Sequence, residues 1–277
     1  MKRLVSIQDI SCIGKCSQTI ALPLISAMGI ETSIIPTAVL SAHTMFPGFT
    51  FCDLSDSIPE IISHWKSLNL HFDAILTGYL GTTRHINMIL DFYEQFAEEN
   101  TLTIVDPVFA DNGKMYAGFD NEYAHAVTSL CKKAGYIVPN ITEAAIMSGL
   151  PYREGFDASY INEILDRLSA FGASNIIITS IRRGNENGII ARLSNGTDFE
   201  YFKPHIDATF HGTGDLFTST FAGALLNNYS AYDAARLAVD YTAYTLGVTQ
   251  NNKTHNWYGI DFEETIPWLI KKLSFSC

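Results

Sequence analysis

Basic residues are scarce in this chain. Lys and Arg number 18 against 29 Asp and Glu in 277 residues, a formal net charge of −11. That balance argues against a nucleic-acid backbone as the main partner, because such binding rests on Lys and Arg that neutralise phosphates. It leaves room for a phosphate-bearing small ligand, since backbone dipoles hold anions inside acidic proteins. Long apolar runs are missing too. No stretch approaches the roughly 18 to 20 uninterrupted apolar residues of a membrane helix, and the opening Met1-Lys2-Arg3-Leu4-Val5-Ser6 is too short in its apolar part for a signal peptide. Cysteines are few and odd in number, at positions 12, 16, 52, 131 and 277. Such a scattered set reads as reduced thiols in the cytoplasm. Cys12 and Cys16 stand four apart, but no second Cys/His pair completes a zinc site, so both read as small buried side chains. Linkers rich in Pro, Gly or Ser, low-complexity tracts and internal repeats are absent, and one domain over residues 1–277 is the simplest organisation. With 47% hydrophobic and 17% charged residues, the chain can bury a sizeable core without disulfides.

What is present is an alternation. Short β-branched runs at residues 3–8, 32–37, 72–77, 101–106, 135–138 and 175–180 read as strands covered on both faces. Between and after them, residues 54–69, 84–99, 121–132, 158–171 and 231–248 carry apolar residues at helical spacing. Strand and helix in turn predict an α/β fold with a mostly parallel sheet. One departure predicts a late antiparallel hairpin: residues 188–193 and 199–202 flank Ser194-Asn195-Gly196-Thr197, and Asn-Gly is a strong hairpin turn. Open parallel sheets bind ligands at the C-terminal ends of their strands. Here those ends are Gln8-Asp9, Thr37, Thr77-Gly78-Tyr79, Asp106-Pro107, Pro139-Asn140 and Thr179-Ser180.

The sharpest local signal is His211-Gly212-Thr213-Gly214-Asp215-Leu216-Phe217, followed by a helical pattern over residues 218–226. Two glycines allow successive backbone N–H groups to point at one anion, with the helix N-terminus adding its dipole. A carboxylate there is electrostatically odd beside a phosphate. It suits a base for a hydroxyl that attacks a phosphoryl group. The plainer reading is a Gly-containing loop with Asp215 as a helix cap.

G-T-G-D at a helix start resembles the anion-hole motif of the ribokinase superfamily, and the nucleotide P-loop pattern G-x-x-x-x-G-K-[ST] is nowhere in the chain. Four further segments narrow the resemblance to its pyridoxal kinases. Thr37-Ala38-Val39-Leu40-Ser41-Ala42-His43-Thr44 is similar to their T-V-x-x-S-x-H-T, and Leu76-Thr77-Gly78-Tyr79-Leu80-Gly81 to their T-G-Y-L-G. Residues 106–116 are similar to D-P-V-M-G-D-x-G-x-x-Y, and Pro139-Asn140-Ile141-Thr142-Glu143-Ala144 to P-N-x-x-E-A. The resemblance spans residues 9 to 217 in family order. It implies a ribokinase-like three-layer α/β/α fold and ATP-dependent phosphorylation of the 5′-hydroxymethyl group of pyridoxal, pyridoxamine or pyridoxine. By position, Asp215 would be the catalytic base, and the N–H groups of Gly212, Thr213 and Gly214 would hold the transferring phosphoryl. Asp106 and Glu143 would organise Mg²⁺ and the triphosphate through water, supported by Asn140. Asp111 would lie in a loop that closes over ATP, and Thr179 and Ser180 beside the nucleotide phosphates. Asp9, Thr37, Ala38, His43 and Tyr79 align with contacts to the pyridine ring. The resemblance also implies a homodimer and leaves room for a monovalent cation.

Each residue has a plainer role. His43 alone reads as a hydrogen-bonded structural residue, Tyr79 as core, Glu143 as a helix cap, and Asp111-Asn112-Gly113 as an ordinary turn. Asp9 stands where many relatives carry Ser, which favours a cationic group on the substrate. Phe109-Ala110 replaces Met-Gly and predicts a stiffer lid loop. The rival readings are a hydroxymethylpyrimidine kinase of the same superfamily, which usually has Cys in place of Asp215, and a non-catalytic vitamin-binding protein.

Overall fold

A computed structural model describes residues 1–273, so Cys277 lies outside the described residues. The strands are β1 (Arg3–Ser11), β2 (Glu31–Leu40), β3 (Phe51–Asp53), β4 (Ala74–Thr77), β5 (Leu102–Val105), β6 (Ala110–Asp111), β7 (Lys114–Met115), β8 (Tyr136–Ile137), β9 (Asn175–Arg183), β10 (Glu186–Arg192) and β11 (Asp198–Pro204). The helices are α1 (Gln18–Ala27), α2 (Ile58–Ser67), α3 (Thr83–Phe96), α4 (Asn121–Cys131), α5 (Ile141–Met147), α6 (Ala158–Ala170), α7 (Thr213–Leu226), α8 (Ala231–Asn251) and α9 (Ile266–Lys272).

Nine strands form one sheet in the order β11-β10-β9-β8-β5-β4-β1-β2-β3. The run from β2 to β9 is parallel throughout. Both edges are antiparallel, with β3 on β2 and β10 and β11 beyond β9. The hairpin expected around Asn195-Gly196 is β10–β11, its Gly196 at φ 80° as the turn requires. β9 runs on past Ser180, where the sequence reading ends it. Ser180 takes φ 58°, the pairing with β10 slips in register there, and the strand continues to Arg183.

Alternate residues of the central strands enter two separate cores. Val5, Ile7, Ile75, Val105, Ile137, Ile176 and Ile178 face α2 to α6. Leu4, Leu76, Ile104 and Ile177 face α1, α7, α8 and α9. The result is a three-layer α/β/α sandwich whose central strands have no wet face, which is why they read as continuous apolar runs. Each fully buried Ile or Leu stabilises the sandwich by roughly 1.5–3 kcal/mol. Helix α1 escapes the sequence reading because Pro23 lies inside it.

The chain passes from β1 to β2 through α1 on one face, then from β2 back to β4 through α2 on the other. The strand order therefore reverses beside β1. In open α/β sheets such a reversal splays the connections apart and opens a crevice at the carboxyl ends of the strands.

Candidate active site

The crevice is built first from an irregularity. Gln8 pairs with Pro36 but Ile10 pairs with Val39, so Thr37 and Ala38 together oppose Asp9. Pro36 has no N–H to give the ladder, and a bulge there is the expected remedy. The bulge brings Asp9, Thr37 and Ala38 to one spot, all nearly fully buried. The Thr37 hydroxyl donates to the Tyr79 carbonyl oxygen at 3.3 Å, which adds the β4 exit to the group. Burial raises the Asp9 carboxyl above its ordinary value, against hydrogen bonds from Ser17 and Ser11 and the nearby His43. Burial and the Asp9 charge likewise raise the Tyr79 phenol.

His43 stands differently from the sequence expectation. The Met45 N–H donates to its Nδ1 at 3.2 Å, so the proton sits on Nε2, which donates to the Tyr258 carbonyl at 2.9 Å. Neither ring nitrogen is left for a ligand's polar edge; only the ring face and carbon edge remain. The ring belongs to an aromatic wall with His211 at 4.8 Å and Phe46 at 4.9 Å between centroids. Cys12, expected to be buried, is exposed, because it follows β1 onto the rim.

On the opposite side of the crevice, α7 begins at Thr213 with Gly212 as its N-cap at φ 88°. That left-handed conformation favours glycine, and a Cβ at Gly212 would come within 2.2 Å of the Lys15 carbonyl oxygen. Gly214 has ordinary backbone angles, and a Cβ there would meet nothing within 4 Å. The first turn of α7 thus presents its unpaired N–H groups to open space. Asp215 lies in the same turn, partly buried. Its carboxyl is pushed up to about 7, chiefly by burial and then by the Asp106 and Asp9 charges, while the Ser17 backbone N–H pulls it down.

The residues expected around the nucleotide fall at the ends of β5, β8 and β9. Asp106 follows β5, and its Oδ2 accepts the Thr218 hydroxyl at 2.7 Å. Thr218 lies one helical turn beyond Asp215, so a single helix face carries Asp215 and the partner of Asp106. Glu143 is buried in the capping box of α5. Its Oε1 accepts the Phe109 N–H at 2.8 Å and the Ala110 N–H at 3.4 Å, and its Oε2 accepts the Asn140 N–H at 2.9 Å. Both oxygens are taken by backbone, so any part that Glu143 plays at a metal runs through water or through Asp106. Burial holds the Asp106 and Glu143 carboxyls above their ordinary values, and Glu143 is raised further by facing Asp106.

Asn140 is equally committed. Its Oδ1 caps α5 by accepting from Thr142 and Glu143, and its amide donates to the Ala110 carbonyl at 2.7 Å. Asp111 belongs to a two-residue hairpin, β6–β7, and not to an open loop. Asn112 at φ 50° and Gly113 at φ 75° make the tight turn. The Gly113 N–H donates to the Thr142 hydroxyl at 3.0 Å, which fastens the hairpin to α5. Thr179 bridges to Asn140 across the sheet, and Ser180 is exposed at its bulge.

Sequence reasoning missed three contributors. Thr218 was legible in the helical spacing from Asp215. Tyr116, whose phenol is raised by burial and by Glu143, Asp111, Asp106 and Asp215, lies beside the acidic cluster and closes the segment that begins at Asp106. Ser17 sits at φ 50° between β1 and α1 with no local signature.

The model of the phosphomethylpyrimidine kinase family matches residues 56–258. The pyridoxal kinase of Arabidopsis thaliana is 30% identical over 235 residues, covering 80% of this chain and 73% of that protein. The structure of pyridoxal kinase from Lactobacillus plantarum superposes with a TM-score of 0.90 at 30% identity, covering 98% of both chains. A candidate phosphomethylpyrimidine kinase of Bacteroides thetaiotaomicron, crystallised with pyridoxal, superposes with a TM-score of 0.92 at 35% identity, covering 97% of this chain and 95% of its own. With the α/β/α sandwich, the acidic crevice and the glycine-flanked helix start already in place, these likenesses make the chain a member of the pyridoxal kinase family, within the wider group that the phosphomethylpyrimidine kinase model describes.

Proposed function

We propose that this chain transfers the γ-phosphoryl group of ATP to the 5′-hydroxymethyl group of a B6 vitamer, with Asp215 as general base. The observation that carries this reading is the first turn of α7. A carboxyl raised to about 7 lies among helix N–H groups that face open space at Gly214. A base with that value is part ionised at neutral pH and can take a hydroxyl proton. In the proposed step the vitamer O–H gives its proton to the Asp215 carboxylate as its oxygen attacks the γ-phosphorus. The bond to the ADP oxygen breaks, and the N–H groups of Gly212, Thr213 and Gly214 hold the phosphoryl oxygens. Asp9, Thr37, Ala38 and Tyr79 hold the pyridine ring, with His43 offering its face. Asp111, Asn140, Thr179 and Ser180 shape the nucleotide side.

The donor set fits Mg²⁺. Buried Glu143 and part-buried Asp106 face each other, and the Asp106 charge raises the Asp215 carboxyl, so a cation among them relieves repulsion. Among the described residues no three His, Cys, Asp or Glu side chains converge on a metal-sized point. That suits an ion held by one carboxylate, water and phosphate oxygens. Asp106 would hold it, with Glu143 behind; when bound, the ion supplies charge that offsets the phosphate oxygens. The same reading carries a single domain, a homodimer and a cytoplasmic location, and no described helix is long and apolar enough to cross a membrane.

A second reading, hydroxymethylpyrimidine phosphorylation, is favoured by the family model's description. An ADP-release assay with pyridoxal, pyridoxamine, pyridoxine and hydroxymethylpyrimidine separates the two. Faster turnover of a vitamer is expected. Preference for the pyrimidine would replace the reading, and no turnover with tight vitamer binding would leave a binding protein.

A further inference from the structure

We propose that Lys15 is a positioning residue for phosphoryl transfer: its part-buried ammonium, clamped by two carboxylates from the segment before α9, presses the β1–α1 turn against Gly212 and so fixes the turn that opens α7 and carries Asp215. The inference rests on the reading of Asp215 as the base.

Lys15 Nζ lies 2.9 Å from Asp261 Oδ1 and 2.9 Å from Glu263 Oε2, with the Lys15 and Asp261 side chains only 15% and 7% exposed. Asp261 is itself immobilised. Its other oxygen accepts the Asn252 amide at 2.9 Å, and its N–H donates to the Thr249 hydroxyl at 2.9 Å, both anchored at the end of α8. Two glycines make room for Lys15. A Cβ at Gly259 would meet the Lys15 Cβ at 2.5 Å, and one at Gly212 would meet its carbonyl oxygen at 2.2 Å. The Ile260 N–H also donates to the His211 carbonyl at 3.2 Å, tying the same segment to the start of the anion turn. Lys15 is therefore held between the turn that opens α7 and a strap 246 residues away in sequence. Two residues on, Ser17 adopts φ 50° and its carbonyl opens α1. A strained turn of this kind keeps its geometry only if its surroundings over-determine it. The clamp supplies that constraint from outside the vitamer and nucleotide pockets.

The test uses Lys15→Met, which keeps length and loses the charge, with Lys15→Arg as conservative rescue and Lys15→Met/Asp261→Leu to remove the stranded carboxylate. Turnover with pyridoxal and ATP, KM for each, and melting temperature are measured for all four proteins. A misplacement of about 1 Å near the chemistry costs up to about a hundredfold in rate. Lys15→Met is expected to lose at least about tenfold in kcat with vitamer KM changed less than about threefold. Lys15→Arg should recover most of it. The double variant should regain melting temperature but not kcat. If kcat in Lys15→Met stays within about threefold of wild type, or returns with stability in the double variant, the positioning role is wrong and the pair is only structural. A wild-type chain inert toward every vitamer would sink the functional reading and this inference with it.

Discussion

With Asp215 as the proposed base, activity and stability should depend on pH in opposite directions, and both can be worked from its raised carboxyl. The general base must be ionised, so kcat/KM should fall as pH falls through about 7. For one group of that value the ionised fraction is about 90% at pH 8 and about 10% at pH 6, a drop of roughly tenfold. A cation bound among the carboxylates lowers the value further, so the acid limb of kcat should lie at lower pH than that of kcat/KM. Stability runs the other way. Between the ordinary carboxylate value of 3.8 and about 7, the native state holds the proton more tightly than the unfolded chain. Stability contributed by that proton is therefore lost as pH rises across this window. A rise from 3.8 to about 7 corresponds to a ceiling near 4 kcal/mol, and solvent at the partly exposed carboxylate reduces the expectation to about 1–3 kcal/mol. Asp215→Asn removes the penalty and the base together. At pH 8 it should melt higher than wild type, hold ATP and vitamer within a few-fold, and lose at least about a hundredfold in kcat. Steady-state kinetics from pH 5.5 to 8.5 and thermal melts of both proteins decide the matter. A flat kcat/KM profile, or an Asn variant that keeps most of its turnover where chemistry limits the rate, would return Asp215 to the role of a helix cap.

The remaining predictions follow from specific contacts. Glu143→Gln puts an NH₂ group against a backbone N–H of Phe109 or Asn140, loosening the β6–β7 hairpin behind Asp106. The Mg²⁺ and ATP concentrations for half-maximal rate should rise several-fold, with pyridoxal binding in the absence of nucleotide unchanged in a fluorescence titration. Gly212→Ala and Gly214→Ala should separate fold from chemistry. The first forces a Cβ at φ 88° into the Lys15 carbonyl and should cost about 2 kcal/mol or more in denaturant melts. The second should melt like wild type and lose turnover, because its methyl enters the open space above the α7 N–H groups. Asp9→Ser removes a buried carboxylate from the β2 bulge, so the ratio of kcat/KM for pyridoxamine over pyridoxine should fall; an unchanged ratio would remove Asp9 from the choice of vitamer.

How much of this was legible in the sequence depends on how far apart the partners lie. The parallel strands announced themselves because both faces are dry, and Gly212 to Asp215 did so because glycine and carboxylate stand in one short segment. The Asn195-Gly196 hairpin was read, whereas Asn112-Gly113 was read as a turn within a loop and its flanking strands were missed, being only two residues each. Glu143 was readable as a helix cap from P-N-x-x-E. That its carboxylate also gathers the Phe109 and Ala110 N–H groups needed the β5 exit folded against α5. His43 was placed by motif, but the engagement of its Nε2 depends on Tyr258, 215 residues away. Lys15 gave no signal at all, because its meaning lies wholly in Asp261 and Glu263.

The division of the helices between the two faces sets an order of events on the ribosome. On the α2–α6 face, cover arrives in step with the strands it protects. On the other face α1 emerges early and then stands alone: its neighbours α7 and α9 begin only at Thr213 and Ile266, after all nine strands of the sheet. Met28 waits for Gly223 to pack against and for Asn227 to donate to its carbonyl at 3.1 Å. At synthesis rates of roughly 5–20 residues per second, Ile177 waits about 2–7 seconds for α7 and Leu4 about 10–40 seconds. The helix that carries Asp215 is therefore also the first lid on a growing apolar surface. A nascent chain stalled before residue 213 should be both inert and sticky, a natural client for chaperones that hold hydrophobic faces apart.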